Sequence, residues 1–164
     1  MRSSSPTVKP RIFVDSAESL ERTLYELIPI SQAMGIQVEA YDGRTLTLTA
    51  PLSANVNHQQ SAFGGSLFSV AALAGWGLMQ MKLSELLLDC NTVVMGGEVT
   101  YQRPVFDDLR CVATLPEDHE TFFEKLREEG RNSTTLLATF ESDGKTAMVL
   151  SGRYHLRQRS SEAT

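Results

Sequence analysis

From Ser66 to Leu83 the chain is apolar nearly all round, with Leu67, Phe68, Val70, Leu73, Trp76, Leu78, Met79 and Met81 leaving no polar side. A helix apolar on every face is buried on every face, so the rest of the chain has to wrap this segment. A membrane span would need about 20 unbroken apolar residues. Here Ser66, Ser69 and Gln80 interrupt the run and Lys82 closes it. Ala71, Ala72, Ala74, Gly75 and Gly77 instead open the helix surface to close approach by a sheet backbone. The segment reads as one long buried helix.

The flanking sequence supplies the wrapping. Ser16 or Ser19 offers a helix cap, and Leu20, Leu24, Leu27 and Ile28 recur at helical spacing until Pro29 ends the run. Ile36, Val38 and Ala40 alternate with polar neighbours, Asp42-Gly43 turns the chain, and Leu46, Leu48 and Ala50 alternate back. Such a turn expects positive φ at both central residues. A polar stretch from Pro51 to Ser61 and the pair Gly64-Gly65 lead into the long helix. Beyond it, Thr92 to Arg103 and Leu109 to Leu115 are β-rich, separated by Pro104 and Asp107-Asp108. Asp118 to Glu129 reads as a short helix stopped by Gly130. Ser133 to Phe140 and Thr146 to Leu156 pair across Asp143-Gly144. This order predicts an α+β fold, an antiparallel sheet wrapped around one long central helix.

A length of 164 residues fits one domain, and a chain of this size buries about 70% of its extended surface. Residues 1–15 and 157–164 are expected as tails around a folded unit at 16–156. Twenty acidic against fifteen basic residues give a net charge of −5. Binding nucleic acid through global charge is therefore not expected, although local basic patches survive the average. Cys90 and Cys111 cannot build a disulfide framework, and no Cys/His cluster has metal-ligand spacing. Met1 to Asp15 lacks the apolar run of a secretory signal. A soluble cytoplasmic domain without metal or membrane partner is the expectation.

The element order, with Asn55-Val56-Asn57-His58 and Phe63-Gly64-Gly65-Ser66-Leu67, resembles the hotdog-fold superfamily, and most closely the C-terminal domain type of the YiiD protein. That resemblance is carried also by Ile28-Pro29, Ala33-Met34-Gly35, Tyr41-Asp42-Gly43, Ala50-Pro51-Leu52, Ala62-Phe63 and Ala74-Gly75-Trp76-Gly77, and spans Leu20 to Leu156. It implies a domain of the stand-alone kind, a sheet continued across two subunits in a homo-oligomer (dimer or dimer of dimers), and sites at the subunit interface. It also implies a thioester substrate carried on the phosphopantetheine of acyl carrier protein or on CoA, with no other cofactor. Domains of this type carry a thioesterase label, and stand-alone members are associated with decarboxylation of malonyl-acyl carrier protein to the acetyl thioester that starts fatty acid synthesis.

In hotdog enzymes the thioester carbonyl lies at the N-terminus of the central helix, where free N–H groups and the helix dipole stabilise charge on oxygen. The resemblance puts the Gly64 and Gly65 amides there; a packing role for the pair is the alternative. In thioesterases of the PaaI type, a catalytic Asn or Asp precedes the first glycine of His-Gly-Gly by seven positions, as Asn57 precedes Gly64. An Asn amide donates hydrogen bonds but cannot act as a general base; capping a loop turn is its other reading. Asn55 is a second candidate with a stronger structural reading. His58 stands beside Asn57 as a possible proton donor to the enolate carbon or as a loop residue.

The departures from the thioesterase pattern favour decarboxylation. Phe63 replaces the motif His, Ala72 stands where PaaI-type enzymes carry an acid, and no Asp or Glu occurs from Gly64 through Ser84. Hydrolysis wants a base or nucleophile, and only Ser66 and Ser69 could position a water. Loss of CO₂ from a malonyl thioester needs no base, only enolate stabilisation and an apolar pocket, which Phe63, Leu67, Phe68 and Trp76 would line. Tyr101-Gln102-Arg103-Pro104 resembles the run near the phosphopantetheine entrance of many hotdog proteins, so Tyr101 and Arg103 are substrate-binding candidates. Arg110, Arg153 and Arg157 are weaker candidates for meeting an acidic carrier. An acyl-CoA or acyl-carrier-protein thioesterase and a non-catalytic acyl-thioester binding module stay open beside the decarboxylase.

Overall fold

The computed structural model describes residues 9–160. Helix α1 (Ala17–Leu27) starts at a reciprocal cap in which Ser16 and Ser19 serve each other's backbone, and Glu21 accepts the Val38 N–H at 2.9 Å to tie it to the sheet. A short α2 (Ile30–Ala33) follows with Pro29 at its cap. Strands β1 (Gln37–Tyr41) and β2 (Thr45–Ala50) form the first hairpin. A 3₁₀ turn at Leu52–Ala54 then leads through an irregular loop into α3 (Gly64–Glu85). Strands β3 (Cys90–Tyr101) and β4 (Leu109–Thr114), helix α4 (His119–Glu129), and strands β5 (Arg131–Ser142) and β6 (Lys145–Gln158) complete the chain.

The six strands form one antiparallel sheet in the order β1-β2-β4-β5-β6-β3. Its inner face supplies Leu46, Leu48, Cys111, Ala113, Leu136, Ala138, Phe140, Leu150, Tyr154 and Leu156 to a core whose centre is α3. The expected sheet around one long helix is present. Among the described residues no helix is long and apolar enough to cross a membrane.

Three expectations change in detail. The hairpin at Asp143-Gly144 has both residues at positive φ, 53° and 70°. At Asp42-Gly43 only the glycine does, at 91°. There the Asp42 carboxylate accepts the Arg44 and Thr45 N–H groups at 2.9 and 2.6 Å and holds the turn itself. The chain is packed at Val14 and through Arg159, inside the stretches expected as tails, while residues 1–8 and 161–164 of those stretches lie outside the described residues. Val14 is buried and donates its N–H to Ser84 Oγ at 3.0 Å, while β6 runs to Gln158 and Arg159 N–H reaches Asp89 O at 2.9 Å. Nor is α3 covered on every side. Phe68 is exposed, and Ser69, Ala72, Leu73 and Trp76 are only half-buried along the same stripe, because the six-stranded sheet closes around only part of the helix circumference.

Both cysteines are buried and free. Burial raises the Cys90 thiol from 9.0 to about 11 and moves the Cys111 thiol up as well, so neither is a poised nucleophile. An unfolded chain ionises these thiols at lower pH than the folded one and binds fewer protons in the interval. The Cys90 contribution to stability is therefore complete below pH 9.0 and is lost as pH rises through about 11. Urea midpoints measured across that interval should fall with pH, and less steeply in a Cys90→Ala variant; equal slopes would remove Cys90 from the linkage.

Candidate functional site

The N-terminus of α3 lacks a side-chain cap, since Phe63 at the cap position has no acceptor and the first turn holds no acid. The leading N–H groups of any α-helix have no partner within the helix. Gly64 and Gly65 occupy the first two positions and are half-buried. Each is covered by an aromatic ring. A Cβ on Gly64 would lie 3.5 Å from the Tyr101 ring, and one on Gly65 would come within 2.5 Å of the Phe63 ring. Tyr101 donates its hydroxyl to Gly64 O at 2.9 Å, fixing the end of β3 over the first turn of α3. The two glycines thus serve packing and leave their amides free of side-chain caps.

The loop before the helix is shaped by its polar residues. Asn55 is 2% exposed and spends its amide N–H groups on Met34 O and Pro51 O, both at 2.8 Å. Its backbone carbonyl accepts the Phe63 N–H at 2.7 Å. With no donor of its own free, Asn55 is a structural residue that seats the helix entrance. Its Oδ1 is buried without a partner among the described residues.

Asn57 lies one turn further on and is half-buried. Its Oδ1 accepts the Gln59 and Ser61 N–H groups at 2.8 and 3.2 Å. One amide proton goes to Ser61 Oγ at 3.0 Å, while Ala62 O lies at 3.5 Å, the outer limit of a hydrogen bond. The loop-capping reading of Asn57 is therefore real in this structure, and one N–H of the amide is only weakly engaged. Ser61, buried and bonded to that amide, went unnoticed in the sequence. The signal available was a serine four residues after an asparagine, a spacing at which each side chain can close the other's turn.

The remaining candidates divide. Phe63 and Tyr101, 55% and 54% exposed, stand at the helix start, and Phe68 is one turn along. Ser66 and Leu67 point into the protein and are buried. Trp76 lies twelve residues from Gly64, about 18 Å along the axis, so it does not join the helix start. His58 is exposed in the loop. Arg103 is exposed just past β3, held by its N–H to Ala147 O at 3.2 Å, and forms no ion pair among the described residues. No group of three metal-ligating side chains occurs among the described residues. A cleft of about 370 Å³ exists at the opposite end of α3, lined by Phe13, Tyr41 and Glu85 among others, where Tyr41 donates to the Glu85 carboxylate.

Residues 17–158 match the family described as "Putative thioesterase (yiiD_Cterm)". The chain belongs to this YiiD C-terminal family. Solved structures agree. A protein of unknown function from Chlorobaculum tepidum TLS is 34% identical, over 87% of this chain and 94% of that one, with a TM-score of 0.81. A "putative thioesterase" from Shewanella oneidensis is 25% identical over 85% and 95%, with a TM-score of 0.79. A "probable thioesterase" from Pseudomonas aeruginosa shares the fold, with 22% identity over 92% and 100% and a TM-score of 0.77. The sheet around α3 in this YiiD C-terminal domain is therefore the hotdog fold. The motif from Asn55 to Leu67 that carried the resemblance is the segment that builds the entrance to α3.

Proposed function

We propose that the protein decarboxylates a malonyl thioester carried on acyl carrier protein or CoA, without metal or further cofactor. The observation that carries this reading is the uncapped, glycine-lined start of α3 beside the Asn57 amide, with no carboxylate on the helix from Gly64 through Ser84. With the thioester oxygen at the Gly64 and Gly65 amides, the bond between the malonyl methylene and its carboxylate breaks. CO₂ departs, and the electron pair moves into an enolate whose oxygen those amides and the weakly engaged Asn57 N–H stabilise. Water or exposed His58 returns a proton to carbon. Phe63 and Phe68 supply apolar surface that weakens carboxylate solvation and favours its loss.

Strand β3 is an open edge whose Val93, Val94 and Met95 are exposed, a surface that invites pairing with another strand. On this reading two copies join there and complete the site. Light scattering should give at least a dimer, and a monomer at micromolar concentration would remove the interface. The free thiols suit a cytoplasmic setting.

Thioester hydrolysis is the second reading, supported by the family description and the Shewanella relative. Mass spectrometry of malonyl-acyl carrier protein and malonyl-CoA after incubation separates the two. An acetyl thioester marks the decarboxylase, whereas a free thiol with released malonate marks the hydrolase. Intact substrates with retained binding would leave an acyl-thioester binding module.

A further inference from the structure

The outer face of the sheet carries a cluster of cations that the site does not use. In β5 and β6, Leu136, Ala138, Tyr154 and Leu156 face the core, so their alternate neighbours face out. Register places Arg131 opposite Arg157, Ser133 opposite His155, and Thr135 opposite Arg153. The three arginines are exposed. His155 Nδ1 lies 2.8 Å from Ser133 Oγ. Like charges directly opposite on paired strands destabilise a sheet, with Cβ atoms about 5 Å apart, and Arg131 and Arg157 stand that way. Four residues along β6, about 13 Å, Arg153 continues the line. None of the three arginines forms an ion pair among the described residues. Nearby carboxylates are engaged or displaced: Asp89 with Arg159, Glu129 with Lys125, and Glu98 opposite Ser151, one row beyond Arg153.

We infer that this face docks a carboxylate-rich protein surface which, on the function proposed above, is that of the acidic carrier protein bearing the thioester. A chain of net charge −5 repels an acidic partner everywhere except where cations are gathered, so the patch selects the contact. Exposed arginines on an open sheet face suit a broad protein surface better than a small anion, which binds in concave sites. A line of about 13 Å matches carboxylates spread over two to three helical turns of 5.4 Å.

The test replaces Arg131, Arg153 and Arg157 together by Gln, and in a second variant by Glu, with circular dichroism and light scattering to confirm the fold. Titration with holo-acyl carrier protein reads docking without turnover. The dissociation constant should rise at least about tenfold in the Gln variant and further in the Glu variant, and wild-type affinity should weaken with added salt. Turnover of malonyl-CoA should stay unchanged while the KM for malonyl-acyl carrier protein rises. Equal carrier affinity in wild type and both folded variants overturns the docking face, as does wild-type protein that binds duplex DNA or anionic vesicles but no carrier. Carrier binding that the substitutions abolish, in a protein that turns over no malonyl thioester, upholds the docking face and refutes the chemistry alone.

Discussion

Replacing Asn57 with alanine is expected to lower decarboxylation by about 10²- to 10³-fold, the usual cost of deleting one donor to a developing oxyanion. The loss should fall on kcat, because an enolate oxygen asks more of the amide than the thioester carbonyl does in the ground state. Alanine also removes the two backbone contacts at Asn57 Oδ1, so loop disorder could mimic the effect. Asn57→Asp separates the two causes. Aspartate keeps both acceptor contacts to Gln59 and Ser61 while removing the donor, and its negative charge is tolerated near a helix N-terminus.

The aspartate variant should decarboxylate no better than the alanine variant, since its carboxylate repels both the malonyl carboxylate and the enolate. It also introduces the base that the helix from Gly64 to Ser84 lacks, so slow release of free malonate should appear where wild type gives acetyl thioester. Full decarboxylation in a folded Asn57→Asp variant would show that Asn57 only shapes its loop. Ser61→Ala, which deletes the hydroxyl engaging the amide at 3.0 Å, should cost far less than either.

How much of this was visible in the residues depends on the range of the interaction. The apolar run of α3, the left-handed Gly130 ending α4 at φ 76° and the Asp143-Gly144 turn are local patterns, and they appear where the sequence places them. Pro29 marks the end of α1 but also opens α2, because a proline that stops one helix is a favourable start for the next. Burial of Val14 depends on Ser84, seventy residues away, and nothing in the first fifteen residues announces that contact. At the site, the Asn57-to-Gly64 spacing was readable while the division of the Asn57 amide between Ser61 and a weak contact to Ala62 O was not. That division arises from a loop closed by the Val56–Ala62 bridge and by Ala62 N–H to Val105 O at 2.7 Å. Trp76 joined the pocket candidates on chemistry alone, and helical rise carries it away from the entrance.

Gly75→Ala is expected to destabilise the fold by about 2 kcal/mol or more, against the sign of helix propensity. In an open helix the change would add about 0.5–1 kcal/mol of stability. Here the new Cβ would stand 2.2 Å from Tyr154 Oη and 2.5 Å from Cζ, and Tyr154 is fully buried with its hydroxyl on Ala72 O at 2.8 Å. The ring already lies close over Gly152 on its own strand, where even a Cβ would stand 3.0 Å from Tyr154 Cε2, so it has little room to retreat that way. Overpacking of this kind costs about 1–3 kcal/mol, and displacing the hydroxyl from its acceptor adds about 1 kcal/mol. Thermal unfolding should show a midpoint lowered by roughly 5–10 °C for a chain of this length. Tyr154→Phe in the same background removes the atom of closest conflict, so the double variant should recover part of the loss and give a non-additive cycle. Gly65→Ala supplies the contrast: its Cβ meets Phe63 at 2.5 Å, but that ring is more than half exposed and swings into solvent. A Gly75→Ala protein more stable than wild type would mean that the helix and β6 can separate, and that Tyr154 does not fix the distance between α3 and its sheet.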